Sequence, residues 1–259
     1  MSDHIKFQEK MKTVLLAGGY AKRLWPLTKD RPKSLLPVAG KPIIEYIIDE
    51  IEKIEELKET YISTNLKFET NFKEWLNNYR SRKEIKLVIE ETKSEKDKLG
   101  SIGALNFLID RLGLSDDLLI IGGDNLFDFD LRDLIDFYRA KKNSVVLLYD
   151  MKEKERVKGK YGVLEINSDF KIINSEEKPE TPKSTLISTA CYIFSKEDLA
   201  LLDDYLASGN NPDAIGFFLS WLCKKSDLYG LIHKGLWFDI GSFDDYARAN
   251  AVYAEISKS

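Results

Sequence analysis

Cysteine and histidine are scarce in this chain, with two of each in 259 residues. Cys191 and Cys223 form no C-x-x-C pair, which argues against a zinc cluster or a disulfide framework and fits a reducing cytosol. His4 falls in a polar stretch, and His233 sits in a strand-like run near the C-terminus where a structural role is the simpler reading. No apolar run approaches the roughly 18 residues that span a membrane. The opening "MSDHIKFQEK" lacks the apolar centre of a signal peptide, so residues 1–10 read as a polar tail ahead of a single domain over 11–259. An excess of one charge is missing too. A net charge of −4 and a pI near 5.5 offer no global positive field to nucleic acid or to an anionic membrane, and neither is expected as a partner. Finally, neither G-x-x-x-x-G-K-[ST] nor G-x-G-x-x-G occurs, which removes the P-loop and the dinucleotide fingerprint.

What is present is an alternation of short β-rich runs with amphipathic stretches. "TVLLA" (13–17), "TYIST" (60–64), "IKLVIE" (85–90), "DLLIIGGD" (117–124) and "SVVLLYD" (144–150) read as strands. Between them, Ile43, Ile44, Ile47, Ile48, Ile51, Ile54 and Leu57 follow helical spacing behind Pro42, and 68–79, 101–112 and 131–142 read as further helices. Strands separated by helices predict βαβ units: an α/β fold, Rossmann-like and three-layered, with a mostly parallel sheet covered on both faces. Near residue 155 the rhythm changes. Two strands around "NSD" and a third at 185–195 predict a small antiparallel lobe over about 151–241, after a first half over about 11–150. Helices are predicted at 196–208 and 213–225, a strand at 227–234, and a last helix over 242–257. Trp75, Phe217, Phe218 and Trp221 read as core aromatics on helix faces.

In an open parallel sheet, ligands bind beyond the carboxyl ends of the strands. Leu16 and Ala17 end the first strand, and Gly18 and Gly19 follow. Two glycines make a tight strand exit, and they also let backbone N–H groups approach a phosphate chain, with Arg23 as a planar cation for its oxygens. Asp124 ends another strand, where a carboxylate either caps a turn or binds Mg²⁺. "FDFD" holds a D-x-D, Asp128 and Asp130, of the kind that binds the metal of a nucleotide-sugar in a glycosyltransferase; Asp130 also stands where the next helix needs an N-cap. Ser101 is placed to cap a helix start, and Glu177 with Lys178 reads most simply as a solvated surface pair.

"LAGGYAKRLWPLTKDRPKSLLPVAGKPII" resembles the L-A-G-G-x-G-T-R-L-x-P-L-T-x-x-x-P-K-x-L-x-P-V-x-x-K-P signature of sugar-1-phosphate nucleotidyltransferases, and further segments carry the resemblance to about residue 250. It implies an enzyme that joins a nucleoside triphosphate to a sugar 1-phosphate and releases pyrophosphate, with Mg²⁺ as cofactor. By the match, Leu16, Ala17, Gly18, Gly19 and Gly100 bind nucleotide, Arg23, Lys33 and Asp124 are catalytic, and Asp124 and Asp239 hold the metal. Gly162, Glu177 and Lys178 bind the sugar phosphate. Ala21 and Lys22 depart from the family's glycine and threonine, Ser101 and Ile102 depart from its base-binding turn, and "STACYIF" alters its asparagine-containing strand. A glutamine of the thymidylyl and uridylyl branches is not evident, which favours a guanylyl-type branch acting on a hexose or heptose 1-phosphate such as mannose 1-phosphate. The thymidylyl or uridylyl activity, the D-x-D glycosyltransferase and a non-catalytic NDP-sugar-binding regulator remain alternatives. The β-helical or acyltransferase extension of some family members is expected to be missing, and a homo-oligomer is left open.

Overall fold

The computed structural model describes residues 11–258; the polar tail assigned to 1–10, His4 included, lies outside the described residues. The first part of the chain runs β1 (Met11–Leu16), a small ribbon of β2 (Pro37–Val38) and β3 (Lys41–Pro42), α1 (Ile43–Glu52), β4 (Glu59–Asn65), α2 (Glu69–Asn78) and β5 (Glu84–Glu90). It continues with α3 (Gly100–Leu112), β6 (Asp117–Gly122), β7 (Asn125–Phe127), α4 (Leu131–Lys141) and β8 (Val145–Asp150). The second part holds α5 (Lys154–Val157), β9 (Gly162–Ile166), β10 (Ile172–Glu177), β11 (Leu186–Phe194), α6 (Lys196–Leu199) and α7 (Leu202–Ala207). It closes with α8 (Ile215–Leu222), β12 (Tyr229–His233), β13 (Trp237–Asp239) and α9 (Phe243–Ile256).

A nine-stranded sheet runs β10-β9-β11-β6-β1-β4-β5, with β8 paired to β11 and β12. The β5-β4-β1-β6 block is parallel, as the βαβ rhythm predicts. β11 then enters antiparallel beside β6, and β9 and β10 follow antiparallel. The antiparallel strands expected as a small lobe therefore continue the edge of the same sheet.

Alternation along the strands sorts the core into two layers. Leu15, Ile62, Leu119, Ile121 and Ile193 face α1, α2 and α4, while Val14, Tyr61, Leu118, Ile120 and Tyr192 face α3, α7 and α8. β6 is buried along most of its length, and its apolar run "LLII" follows from having both faces covered. A third cluster joins Leu24, Leu36 and Val38 of the loop region to Leu126, Phe238, Ile240 and Tyr253, so α9 anchors the segments that follow β1.

Some boundaries differ from the sequence reading. α1 stops at Glu52 because Lys53 and Ile54 close the helix with tight turn bonds, although Ile54 and Leu57 are still buried. The helix expected over 196–208 is two short ones, because the Ser195 hydroxyl caps only the first and the chain turns again at Leu201. Among the predicted core aromatics Phe218 is fully buried, and Trp75, Phe217 and Trp221 pack at the core's margin.

Candidate active site

The carboxyl ends of β1, β4, β5 and β6 meet at one rim of the sheet. As the chain leaves β1, the Ala17 amide donates to the Ser63 carbonyl at 2.8 Å and the Asn65 side-chain amide to the Gly18 carbonyl at 2.8 Å, so the end of β4 sets the turn. The two glycines differ. A Cβ on Gly18 would stand 2.9 Å from Oε1 of Glu90, whereas one on Gly19 would meet nothing within 4 Å and would project into open space. Ala21, a departure from the glycine of the resembling motif, adopts the glycine-like left-handed conformation (φ 44°, ψ 44°), held by a 2.8 Å hydrogen bond from the Thr28 hydroxyl to its carbonyl. Lys22, the other departure, reaches across to Glu95 at 2.5 Å.

Lys33 lies in a short turn (Lys33–Leu35) entered through Pro32, and its amine meets three groups from distant parts of the chain. Nζ is 2.5 Å from Oδ2 of Asp124 and 3.6 Å from Oδ1 of Asp239, and it donates to the Ile240 carbonyl at 2.8 Å. β7 and β13 pair antiparallel, with Asn125 opposite Asp239, and this pairing is what brings the two aspartates, 115 positions apart by number (239 − 124), to one lysine. Burial alone would lower the Lys33 ammonium, but Asp124 and Asp239 outweigh it and hold it above the usual lysine range. Burial pushes the Asp239 carboxyl up, against the pull of Lys33. The donors here are carboxylate oxygens, each about one-third exposed, both approaching the Lys33 amine. That fits a Mg²⁺ ion, which takes one or two carboxylates and leaves its other positions to phosphate and water.

Across the cleft, β10 ends on Glu177, whose side chain is only 6% exposed. Its carboxylate is pressed between two backbones: a Cβ on Gly216 would fall 1.8 Å from Oε2, and one on Gly162 would fall 3.0 Å from it. Burial raises the Glu177 carboxyl above the ordinary range despite the Lys178 cation, whose Nζ lies 3.6 Å from Oε1. The surface-pair reading thus fails for Glu177, which is enclosed, while Lys178 is half-exposed and lines the cleft.

The turn at Leu99–Gly103 opens α3. Gly100 has φ +74°, and a Cβ there would stand 2.4 Å from the Pro212 carbonyl oxygen, so no other residue fits without displacing the 212–213 backbone. Ser101 does not cap the helix as expected. The helix has already begun at Gly100, and Ser101 instead donates its amide and hydroxyl to the Asp213 carbonyl at 3.0 and 3.1 Å, while the Ile102 amide donates to the Pro212 carbonyl at 3.0 Å. Lys98 adds a 2.7 Å ion pair to Asp213.

A cleft of about 430 Å³ lies among these parts, with Leu16, Gly18, Gly19 and Gly100 on one side and Gly162, Glu177 and Lys178 on the other. Asp124 and Asp239 lie on its floor. Lys33 is not on its surface; with Ala17 and Ser34 it lines an adjoining recess of about 130 Å³ that also reaches Gly19 and Asp124. The Ser34 hydroxyl there is buried without a hydrogen-bond partner among the described residues. Arg23 is not brought into the cleft and faces a separate basin beyond Asp239. Three contributors escaped the sequence reading: Glu90, Ser34 and Gly216. Glu90 had a readable signal, since it ends β5 as Gly122 ends β6 just ahead of Asp124; the other two follow no local pattern. The D-x-D aspartates serve the fold. Asp130 accepts from the Arg132 amide at 2.8 Å as N-cap of α4, and Asp128 accepts from the Leu236 amide at 2.8 Å with His233 Nε2 at 2.9 Å. Among the described residues no helix is long and apolar enough to cross a membrane.

The family model described as Nucleotidyl transferase matches residues 12–256. The chain is 32% identical over 240 residues to a Sulfolobus acidocaldarius protein provisionally named mannose-1-phosphate guanyltransferase, covering 93% of this chain and 62% of that one. It is 30% identical over 241 residues to the bifunctional protein GlmU of Methanocaldococcus jannaschii, covering 93% and 53%. The chain thus spans between about half and three fifths of the length of these curated relatives. Among solved structures, a provisionally named glucose-1-phosphate thymidylyltransferase of Bacillus anthracis, in complex with sucrose, superposes with a TM-score of 0.80 at 26% identity over 95% of this chain and 96% of that one. A UDP-glucose pyrophosphorylase complexed with UDP-glucose shares the fold with a TM-score of 0.80 at 22% identity, over 95% and 99%.

Proposed function

The chain belongs to the Nucleotidyl transferase family, and on that premise we propose that it joins a nucleoside triphosphate to a sugar 1-phosphate, giving an NDP-sugar and pyrophosphate. The observation that carries this reading is Lys33, set 2.5 Å from Asp124 and 3.6 Å from Asp239 in the recess that adjoins the cleft at Gly19 and Asp124. Both substrates are anionic at the reacting phosphates, so the reaction needs charge neutralisation and in-line positioning more than a protein nucleophile. Lys33 supplies a fixed cation beside the transferred phosphorus, and the open backbone at Gly19 lets the phosphate chain lie against the loop. Arg23 takes the far phosphates. Leu16, Ala17, Gly18 and Gly100 frame the nucleoside; Gly162 and the enclosed Glu177 accept the sugar, and Lys178 its phosphate. Asp124 and Asp239 would hold Mg²⁺, which when bound offsets the negative charge of the phosphate oxygens.

The base is guanine and the sugar a hexose or heptose in this proposal. Its support is Glu90, a buried carboxylate that lines the cleft beside Gly18 and, among the described residues, accepts only the Ser63 hydroxyl, at 2.9 Å. A carboxylate has only acceptor sites, which suits the paired N–H donors on the guanine edge. The name of the Sulfolobus relative points the same way. The test is pyrophosphate release over a grid of nucleoside triphosphates and sugar 1-phosphates, with Mg²⁺ and with EDTA. Release confined to GTP with one sugar phosphate is the expected result; release with UTP or TTP alone would move the assignment to the thymidylyl or uridylyl branch.

A further inference from the structure

Beyond Asp239 lies a second basin of about 580 Å³, which shares Lys160, Tyr161, Trp237 and Asp239 with the wall of the cleft. Four cations line it, Arg23, Arg156, Lys160 and Arg248, against two carboxylates, Asp239 and Asp245. Both carboxylates are already engaged: Asp239 faces Lys33, and Asp245 takes the Ser242 hydroxyl at 2.7 Å and lies 3.8 Å from Arg248. Among the described residues the side chains of Arg23, Arg156 and Lys160 have no ion pair or hydrogen bond. Arg248 is steadied over the Phe238 ring at 5.3 Å. Cations crowded round one hollow repel each other unless an anion lies among them, and a lining with this excess of positive charge draws anions in.

The position of the basin selects the anion. Arg23 comes from the loop directly behind Gly18 and Gly19, and Asp239 stands between basin and cleft. In the proposed transfer an oxygen of the sugar phosphate bonds to the α-phosphorus. The bond from that phosphorus to its β-bridging oxygen breaks, its electron pair stays on the bridging oxygen, and pyrophosphate leaves without any proton passing through the protein. The leaving group departs in line, away from the attacking sugar phosphate on the Lys178 side of the cleft. We propose that this basin receives the leaving pyrophosphate, with Arg156 and Arg248 as its ligands beside Arg23. The proposal rests on the reading of the cleft as a nucleotidyl-transfer site.

The experiment is calorimetric titration of the intact protein with sodium pyrophosphate in Mg²⁺ buffer, without other substrates. It compares wild type with R156Q, R248Q and the R156Q/R248Q pair, all checked for an unchanged thermal melt. Each lost charge-assisted contact should weaken binding by roughly 10-fold or more, and the R156K/R248K pair should recover part of it because the charge returns. Wild-type affinity in the R156Q/R248Q protein, or no pyrophosphate binding by wild type, would overturn the proposal. The parent reading fails separately: arginine-dependent pyrophosphate binding alongside a silent substrate grid would remove nucleotidyl transfer and keep a pyrophosphate site in the basin. An intact reaction with arginine-independent binding would do the reverse.

Discussion

The two walls of the cleft solve opposite problems. The wall from the first half is open at Gly19, which faces empty space, and the charges near it, Lys33 with Asp124 and Asp239, come from three separated segments. The wall from the second half is tight: Glu177 is enclosed with its Oε2 against the backbones of Gly216 and Gly162. An open wall with compensated charge suits phosphates, whose placement is governed by electrostatics. A tight wall around one acceptor suits neutral hydroxyls, which are told apart by shape and by single hydrogen bonds. Substitutions on the first wall should therefore strike turnover, and those on the second should strike sugar recognition.

The largest effect should come from Asp124→Asn or Lys33→Ala, each expected to lower kcat for pyrophosphate release by about 10²–10³-fold, the scale of removing one electrostatic contact to a reacting centre. An unchanged rate in either folded variant would break the comparison at its first wall. Gly216→Ala comes next. Its methyl would land on the Glu177 carboxylate and push it from its seat, raising KM for the sugar 1-phosphate by up to about 100-fold. Triphosphate binding, followed by calorimetry, should hold.

A smaller effect concerns pH. Burial keeps the Glu177 carboxyl above its ordinary range, so its folded value exceeds its unfolded one. The ionised group thus costs stability at neutral pH, and that cost shrinks as pH falls through the raised value and is gone below the ordinary one. The form that accepts hydroxyl donors is lost in the same window. KM for the sugar 1-phosphate should rise on mild acidification, and Glu177→Gln should flatten that dependence. The smallest effect is at Ala21. Replacing it by glycine removes a left-handed alanine, worth about 1–2 kcal/mol, and returns part of that as unfolded-chain entropy. A gain in Tm of a few degrees is expected, on the scale of about 2–4 °C per kcal/mol for a chain of this size; a loss would mean that the methyl makes a contact of its own.

The parallel block was legible because its evidence is local: buried β-rich runs alternate with helical spacing, and β1, β4, β5 and β6 fall where those runs lie. The end of α1 was not, since Ile54 and Leu57 keep the helical spacing and remain buried while the chain turns beneath them. Gly18, Gly19, Arg23 and Lys33 were named from one contiguous resembling motif, and Asp124 and Asp239 from two further segments. Their convergence was out of reach of periodicity, because it depends on β7 pairing with β13. Glycine requirements were readable only in part: the positive φ of Gly100 falls in a matched turn, but Gly216 is required by a carboxylate 39 positions earlier (216 − 177) that no spacing rule connects to it. Ser101 was misplaced for a related reason, as its partner is a backbone carbonyl from another segment.

The first amide groups of α3 are bonded to the carbonyls of Pro212 and Asp213, which belong to the segment leading into α8. A helix that begins on a borrowed cap behaves as a latch. Displacing the 212–213 segment would strip α3 of these hydrogen bonds, so the start of the helix and that segment are held in place together.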